Sequence, residues 1–166
     1  TSFSAGIESA GTYYAVVNAP TSYYHDSGQY GLTVTTGGSV GSSETEDNGS
    51  FASADVLSSG TKIMGQLSSS SDLDYYSIVV SSAGTVTLDF DAPTNSSYSD
   101  YFGVTLFDSG GNVLASQSTG QDTSFSAGIG SAGTYYAVVN APSYYHDGGQ
   151  YGLTVTTGGS IGSSET

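Results

Sequence analysis

Residues 84–90, GTVTLDF, decide the fold class. Val86, Leu88 and Phe90 alternate with Thr85, Thr87 and Asp89, and a period of two puts the apolar side chains on one face of a β-strand. The same alternation runs through residues 101–107, where Phe102, Val104 and Leu106 point inward, and through 150–156, with Tyr151, Leu153 and Val155 inward. Between them Asp108-Ser109-Gly110-Gly111-Asn112 reads as a hairpin turn that returns through Val113 and Leu114. Residues 62–67, 75–80, 124–129 and 134–140 carry weaker versions of the pattern. About eight short strands, bounded by Gly, Asn, Asp and Ser and with almost no helical periodicity, predict two packed antiparallel sheets. Residues 53–57 are the one stretch that suits a turn of helix.

The last three of these strands occur twice. Residues 1–45 return at 123–166, with three aligned differences (Glu8/Gly130, Ser27/Gly148, Val40/Ile161) and Thr21 without a counterpart. Residue 1 recurs at 123, so the period is about 122 residues, the size of a domain and not of a solenoid rung. On this reading residues 1–35 hold the closing strands of a preceding repeat and 36–43 form a Gly/Ser linker. Residues 44–157 form one complete sandwich, and 158–166 lead into the next. A three-strand remnant exposes an edge and an apolar face, so its completion by another chain through strand complementation is one expectation.

Fifteen acidic residues face a single basic one, Lys62, for a net charge of −14. Phosphate backbones and anionic lipid surfaces bind through Lys and Arg, so nucleic-acid and membrane partners are not expected. The absence of cysteine removes disulfides and thiolate metal sites. Serine is plentiful, but no G-x-S-x-G elbow or supported Ser/His/Asp order accompanies it, and zinc and phosphate-loop motifs are missing. The chain is therefore expected not to be an enzyme. His25 and His146 sit at the same place in the two copies, within Tyr-Tyr-His-Asp, and read as loop histidines capped by the neighbouring Asp.

An ordered series of motifs runs through residues 44–157. It begins Glu44-Thr45-Glu46-Asp47-Asn48, continues with Ala52, Ala54, Leu57 and Gly65-Gln66-Leu67, and reaches Asp72-Leu73-Asp74-Tyr75-Tyr76. It ends with Gly133-Thr134-Tyr135-Tyr136-Ala137-Val138-Val139 and Gly149-Gln150-Tyr151-Gly152-Leu153-Thr154-Val155. This order resembles the bacterial pre-peptidase C-terminal domain family, to which the collagen-binding domains of clostridial collagenases are similar. The resemblance implies a jelly-roll-like sandwich serving secreted proteins as a binding, spacing or maturation module. It also implies a calcium ion held by Glu44, Glu46, Asn48, Asp72 and Asp74, with Asp47 and Ser70 or Ser71 as further candidates.

The residues themselves agree with that implication. Calcium takes six to eight oxygens in loose geometry, and carboxylates gathered without Lys or Arg repel one another unless a cation sits among them. The plainer alternative is a set of solvated loop carboxylates. Asp89 and Asp91, with Asp100 nearby, are candidates for a second cation site. The tyrosine pairs Tyr23/Tyr24, Tyr98/Tyr101 and Tyr144/Tyr145 suit rim packing or contact with a ligand, and Tyr144 and Tyr145 are the candidate ligand-binding residues.

Together these features point to a structural or adhesive repeat of a large extracellular surface protein or filament, calcium-stabilised where one domain joins the next. Its partners are then neighbouring repeats of the same protein. The alternative is an accessory module of a secreted hydrolase that binds carbohydrate or a fibrous protein.

Overall fold

The computed structural model describes residues 14–17, 32 and 42–158. Most of the expected remnant at 1–35, most of the two linkers, His25 and the Tyr23/Tyr24 pair lie outside the described residues. Nine strands follow in order: β1 (Asp55–Val56), β2 (Lys62–Gly65), β3 (Leu73–Val80), β4 (Gly84–Asp91), β5 (Phe102–Phe107), β6 (Val113–Thr119), β7 (Thr123–Ile129), β8 (Gly133–Asn140) and β9 (Tyr151–Gly158). They form an all-β sandwich of a five-stranded sheet, β1-β3-β8-β5-β6, and a four-stranded sheet, β2-β9-β4-β7.

The alternation of β4 becomes its burial: Val86, Leu88 and Phe90 are buried, while Thr85, Thr87 and Asp89 are partly open. Phe102, Val104 and Leu106 of β5 and Tyr151, Leu153 and Val155 of β9 are buried in the same way. Phe90, Phe102 and Tyr151 meet with ring centroids 5.1–5.9 Å apart, so aromatic packing joins the two sheets at one end. β5 and β6 form the expected hairpin. Asp108 accepts the N–H groups of Gly110 and Asn112, and Gly111 has φ +78°, a left-handed conformation that glycine adopts without strain.

Two expectations change. Residues 53–57 contain no helix: a turn ends at Ser53 and β1 follows, pairing parallel with Tyr76 and Ser77 of β3. The Leu57 N–H donates to the Ser77 carbonyl and the Leu57 side chain is buried, so burial and a ladder bond outweigh helical propensity. The strand expected over 62–67 stops at Gly65, because the next N–H, of Gln66, turns to the Glu44 carboxylate. Ser42 and Ser43, within the expected linker, already join the sheet: Met64 donates to the Ser42 carbonyl, and Glu44 donates to the Met64 carbonyl.

The register defines two poles. The end of β2 pairs with the start of β9, the start of β3 with the end of β8, and the end of β4 with Gly152. Segments 44–49, 66–72, 92–101 and 141–150 therefore gather at one pole, where the chain enters. β9 runs away from it and pairs with Thr85 at the opposite pole, where the chain leaves.

Candidate metal centre

The centre is built at the entry pole from the acidic opening segment and the start of β3. Glu44 is placed by its own N–H on Met64, which lays the segment beside β2. Asp74 is placed by β3, whose alternation turns Asp74, Tyr76 and Ile78 inward while Tyr75 and Ser77 face out. One carboxylate oxygen each from Glu44, Glu46 and Asp74 lies within 4.8 Å of the others. Oxygens sharing one calcium at about 2.3–2.6 Å can lie up to about 5 Å apart, whereas magnesium at about 2.0–2.1 Å allows only about 4 Å.

Two tyrosines close the floor. Tyr76 donates to Glu44 Oε2 at 2.5 Å, Tyr151 donates to Asp74 Oδ2 at 2.5 Å, and the two hydroxyls are 2.6 Å apart. Glu44 Oε1 accepts the Gln66 N–H at 2.5 Å. Gly65 makes this possible: a Cβ there would collide with both tyrosine hydroxyls. Asn48 is fully buried, with its amide nitrogen 3.5 Å from Glu44 and 3.4 Å from Asp55.

The hydrogen bonding is incomplete at two atoms. Among the described residues, Asn48 Oδ1 and Asp74 Oδ1 are the buried side-chain oxygens without a partner. A buried acceptor left unpaired costs about 1–3 kcal/mol, more when charged, so the open oxygen of Asp74 in a cluster of carboxylates calls for a cation or its equivalent. The electrostatics point the same way. The Asp74 carboxyl is pushed up to about 8, first by burial, against the opposing Tyr151 hydrogen bond, and then by Glu44, Asp72 and Glu46. Glu46 is raised by burial and by Asp72, Glu44, Asp47 and Asp55. Tyr76 and Tyr151 are raised by burial and by Glu44 and Asp74, so both stay protonated and act as donors. Lys62, the chain's one basic side chain, pairs with Asp91 instead.

All the donors are hard oxygens, which suits calcium and not a softer metal. Glu44, Glu46 and Asp74 would supply carboxylates, and Asn48 an amide oxygen if its side chain turned over. An open cleft lined by Ser43, Glu44, Glu46, Gln66, Ser68 and Gln150 connects the cluster to solvent. A bound calcium would supply positive charge alone, with no redox or nucleophilic chemistry.

Of the five candidate ligands, the structure brings Glu44, Glu46 and Asp74 together and sets Asn48 against them. Asp72 is occupied elsewhere, accepting the Ser68 and Leu73 N–H groups at 2.6 and 2.9 Å, although its charge still bears on Glu46. Ser71 bonds within its own turn, to Ser69. The residue-by-residue reading missed Asp55, Gly65 and the two tyrosine hydroxyls. The signal available for the tyrosines was their polar tip at positions where phenylalanine would serve a plain core.

The other candidates are dispersed. Tyr144 and Tyr145 are 84% and 70% exposed in the β8–β9 loop, with rings edge to face at 5.8 Å. Tyr98 and Tyr101 form a second pair at 5.4 Å. Asp147 does not cap His146: its carboxylate takes the Thr94 hydroxyl and the Gly149 N–H.

No protein-family model matches the chain, and no curated protein matches it. Among solved structures, it is similar to the pre-peptidase C-terminal domain of a collagenase from Bacillus anthracis. That likeness has 24% identity and a TM-score of 0.48, covering 62% of this chain and 94% of that one. It is also similar to a periplasmic inhibitor of g-type lysozyme from Aeromonas hydrophila, with 15% identity and a TM-score of 0.46, covering 63% and 99%.

Proposed function

We propose that this chain is a calcium-stabilised structural or adhesive module of a large extracellular protein, repeated in tandem and joined to its neighbours through the entry pole. The observation that carries the reading is the unpartnered buried Oδ1 of Asp74, whose carboxylate is one of three that converge with those of Glu44 and Glu46. The site lies where the chain arrives. Glu44 both receives the Gln66 N–H and continues a segment bonded to β2, so a cation held there fastens the end of the linker to the sandwich. No catalytic role is assigned. No helix among the described residues is long and apolar enough to cross a membrane.

The test combines thermal unfolding with small-angle scattering on the full chain. Removing calcium with EDTA lowers the melting temperature and broadens the distribution of end-to-end distances. Identical melting and scattering in calcium and EDTA would refute the reading.

A second reading, an accessory binding module of a secreted hydrolase, is favoured by the exposure of Tyr144 and Tyr145 at the same pole. Large rigid side chains with a polar tip suit contact with a glycan or a fibrous protein. A glycan array and a fibrous-collagen binding assay, with Tyr144→Ala and Tyr145→Ala as controls, decide it. Absent binding, or binding that survives both changes, removes it.

A further inference from the structure

Residues 1–36 repeat the sequences of β7, β8 and β9. TSFSAGI at 1–7, GTYYAVVN at 11–18 and YGLTVTT at 30–36 are identical to 123–129, 133–140 and 151–157. In the sandwich these strands are held by β1–β6 alone and by one another's sheets: β8 lies between β3 and β5, β9 between β2 and β4, and β7 on the edge of β4. One seat thus faces two sets of strands able to fill it. The described residues of the first set are not buried as their counterparts are. Tyr14, Val16, Val17 and Leu32 are 87, 81, 53 and 51% exposed. Val138, Val139 and Leu153, the counterparts of Val16, Val17 and Leu32, are 5, 0 and 0% exposed.

The differences between the sets are tolerated by the seat. Glu8 and Ser27 correspond to Gly130 and Gly148, where an added Cβ meets open space and the backbone has no left-handed strain. Thr21 inserts where Pro142 meets Ser143, in the β8–β9 loop beside the exposed Pro142. No residue of β7–β9 that enters the core differs.

The connection also reaches. With the first set seated, Thr36 would occupy the place of Thr157, four residues along β9 from the Leu153–Ile63 pair, and the chain must then arrive at Ser42, bonded to Met64 across β2. Strand rise and spacing put that gap at about 17 Å. The six residue steps from 36 to 42 span up to about 20 Å, through a Gly- and Ser-rich stretch.

We propose that the seat formed by β1–β6 accepts residues 1–36 of its own chain in place of residues 123–158, so that the sandwich can be closed from either flank. The partner surface is the seat, and the unseated set remains free to close the seat of another repeat. In a tandem array every seat stands between two such sets, and the junction between beads becomes exchangeable. This inference does not rest on the calcium reading.

The experiment uses the full chain carrying Leu153→Asp, Leu32→Asp, or both, each examined in calcium and in EDTA so that failure of the metal site leaves the comparison intact. A carboxylate in place of fully buried Leu153 removes the second set from the core. The expected result is that each single variant keeps a cooperative unfolding transition as a monomer, whereas the double variant loses it. In Leu153→Asp, hydrogen-exchange protection moves to residues 22–36, distinguished from 143–157 by Ser27 against Gly148. If Leu153→Asp is as unfolded as the double variant, or folds only as a dimer or larger assembly, the proposal is wrong.

Discussion

Replacing Asp74 with Asn separates a metal ligand from an ordinary hydrogen-bond acceptor by the sign of its effect. Asp74 is fully buried, one oxygen takes the Tyr151 hydroxyl, and the other has no partner. Burial and the neighbouring carboxylates raise its folded pKa to about 8, against about 3.9 for an unfolded aspartate. Because the folded value is raised, the contribution of this group to stability is full below about pH 4 and is lost as pH rises through about 8. Keeping it protonated in the metal-free fold at pH 7, about three units above its unfolded value, costs about 4 kcal/mol. Access of water through the adjoining cleft reduces this, and about 2 kcal/mol is the working figure. Asn has nearly the same shape and no charge. In EDTA at pH 7, Asp74→Asn is therefore expected to stabilise the fold by about 2 kcal/mol, raising the melting temperature by about 8 °C. In calcium the same variant gains nothing from the ion, and near pH 4 its advantage over the parent disappears. Calorimetry of both proteins in EDTA and in calcium reads all three effects. A variant that melts below the parent in EDTA, or that keeps the parent's response to calcium, contradicts the reasoning.

Further outcomes follow from neighbouring geometry. Gly65→Ala forces a methyl group into the two tyrosine hydroxyls and is expected to cost about 1–3 kcal/mol in urea unfolding while weakening calcium binding; a neutral effect on both would remove the tyrosine floor from the account. Asp108 accepts bonds from Asn112 side chain and backbone and from the Gly110 N–H, which lower its pKa; the support it gives the β5–β6 turn is present above the ordinary aspartate value and lost as pH falls through the lowered one. Carbon-13 NMR of its carboxyl should titrate below the ordinary aspartate value, and a midpoint at or above that value would contradict the turn geometry. Calcium binding at pH 7 should release about one proton per ion, mainly from Asp74, seen as a calorimetric heat that depends on the buffer's ionisation enthalpy; equal heats in two such buffers would contradict the raised carboxyl.

Strands were legible where one face is buried and the other wet. Val86, Leu88 and Phe90, or Leu153 and Val155, announce both their conformation and their inward face, because a slip by one residue would expose every apolar side chain. Their partners were not legible. β4 pairs with β7 and β9, far along the chain, and nothing local in 84–91 encodes that choice. β1 escaped because two residues carry no period, and only the burial of Leu57 and its bond to Ser77 make Asp55–Val56 a strand. At the site, the family resemblance implied Glu44, Glu46, Asn48, Asp72 and Asp74, of which Glu44, Glu46 and Asp74 converge. The motif could not tell that Asp72 would cap its own turn, since a ligand and a turn cap look alike in one dimension. Tyr151 read as core from its alternation, and both Tyr151 and Tyr76 are core by burial. Their hydroxyls become part of the site only because Gly65 lets two sheets bring them together.

The central claim is that the entry pole holds a calcium ion, and isothermal titration of calcium into this chain, stripped with EDTA, tests it most directly. The account predicts one saturable calcium site per chain, much weaker for magnesium, and lost in Asp74→Asn. A titration with no saturable site, or one unchanged by Asp74→Asn, would contradict it.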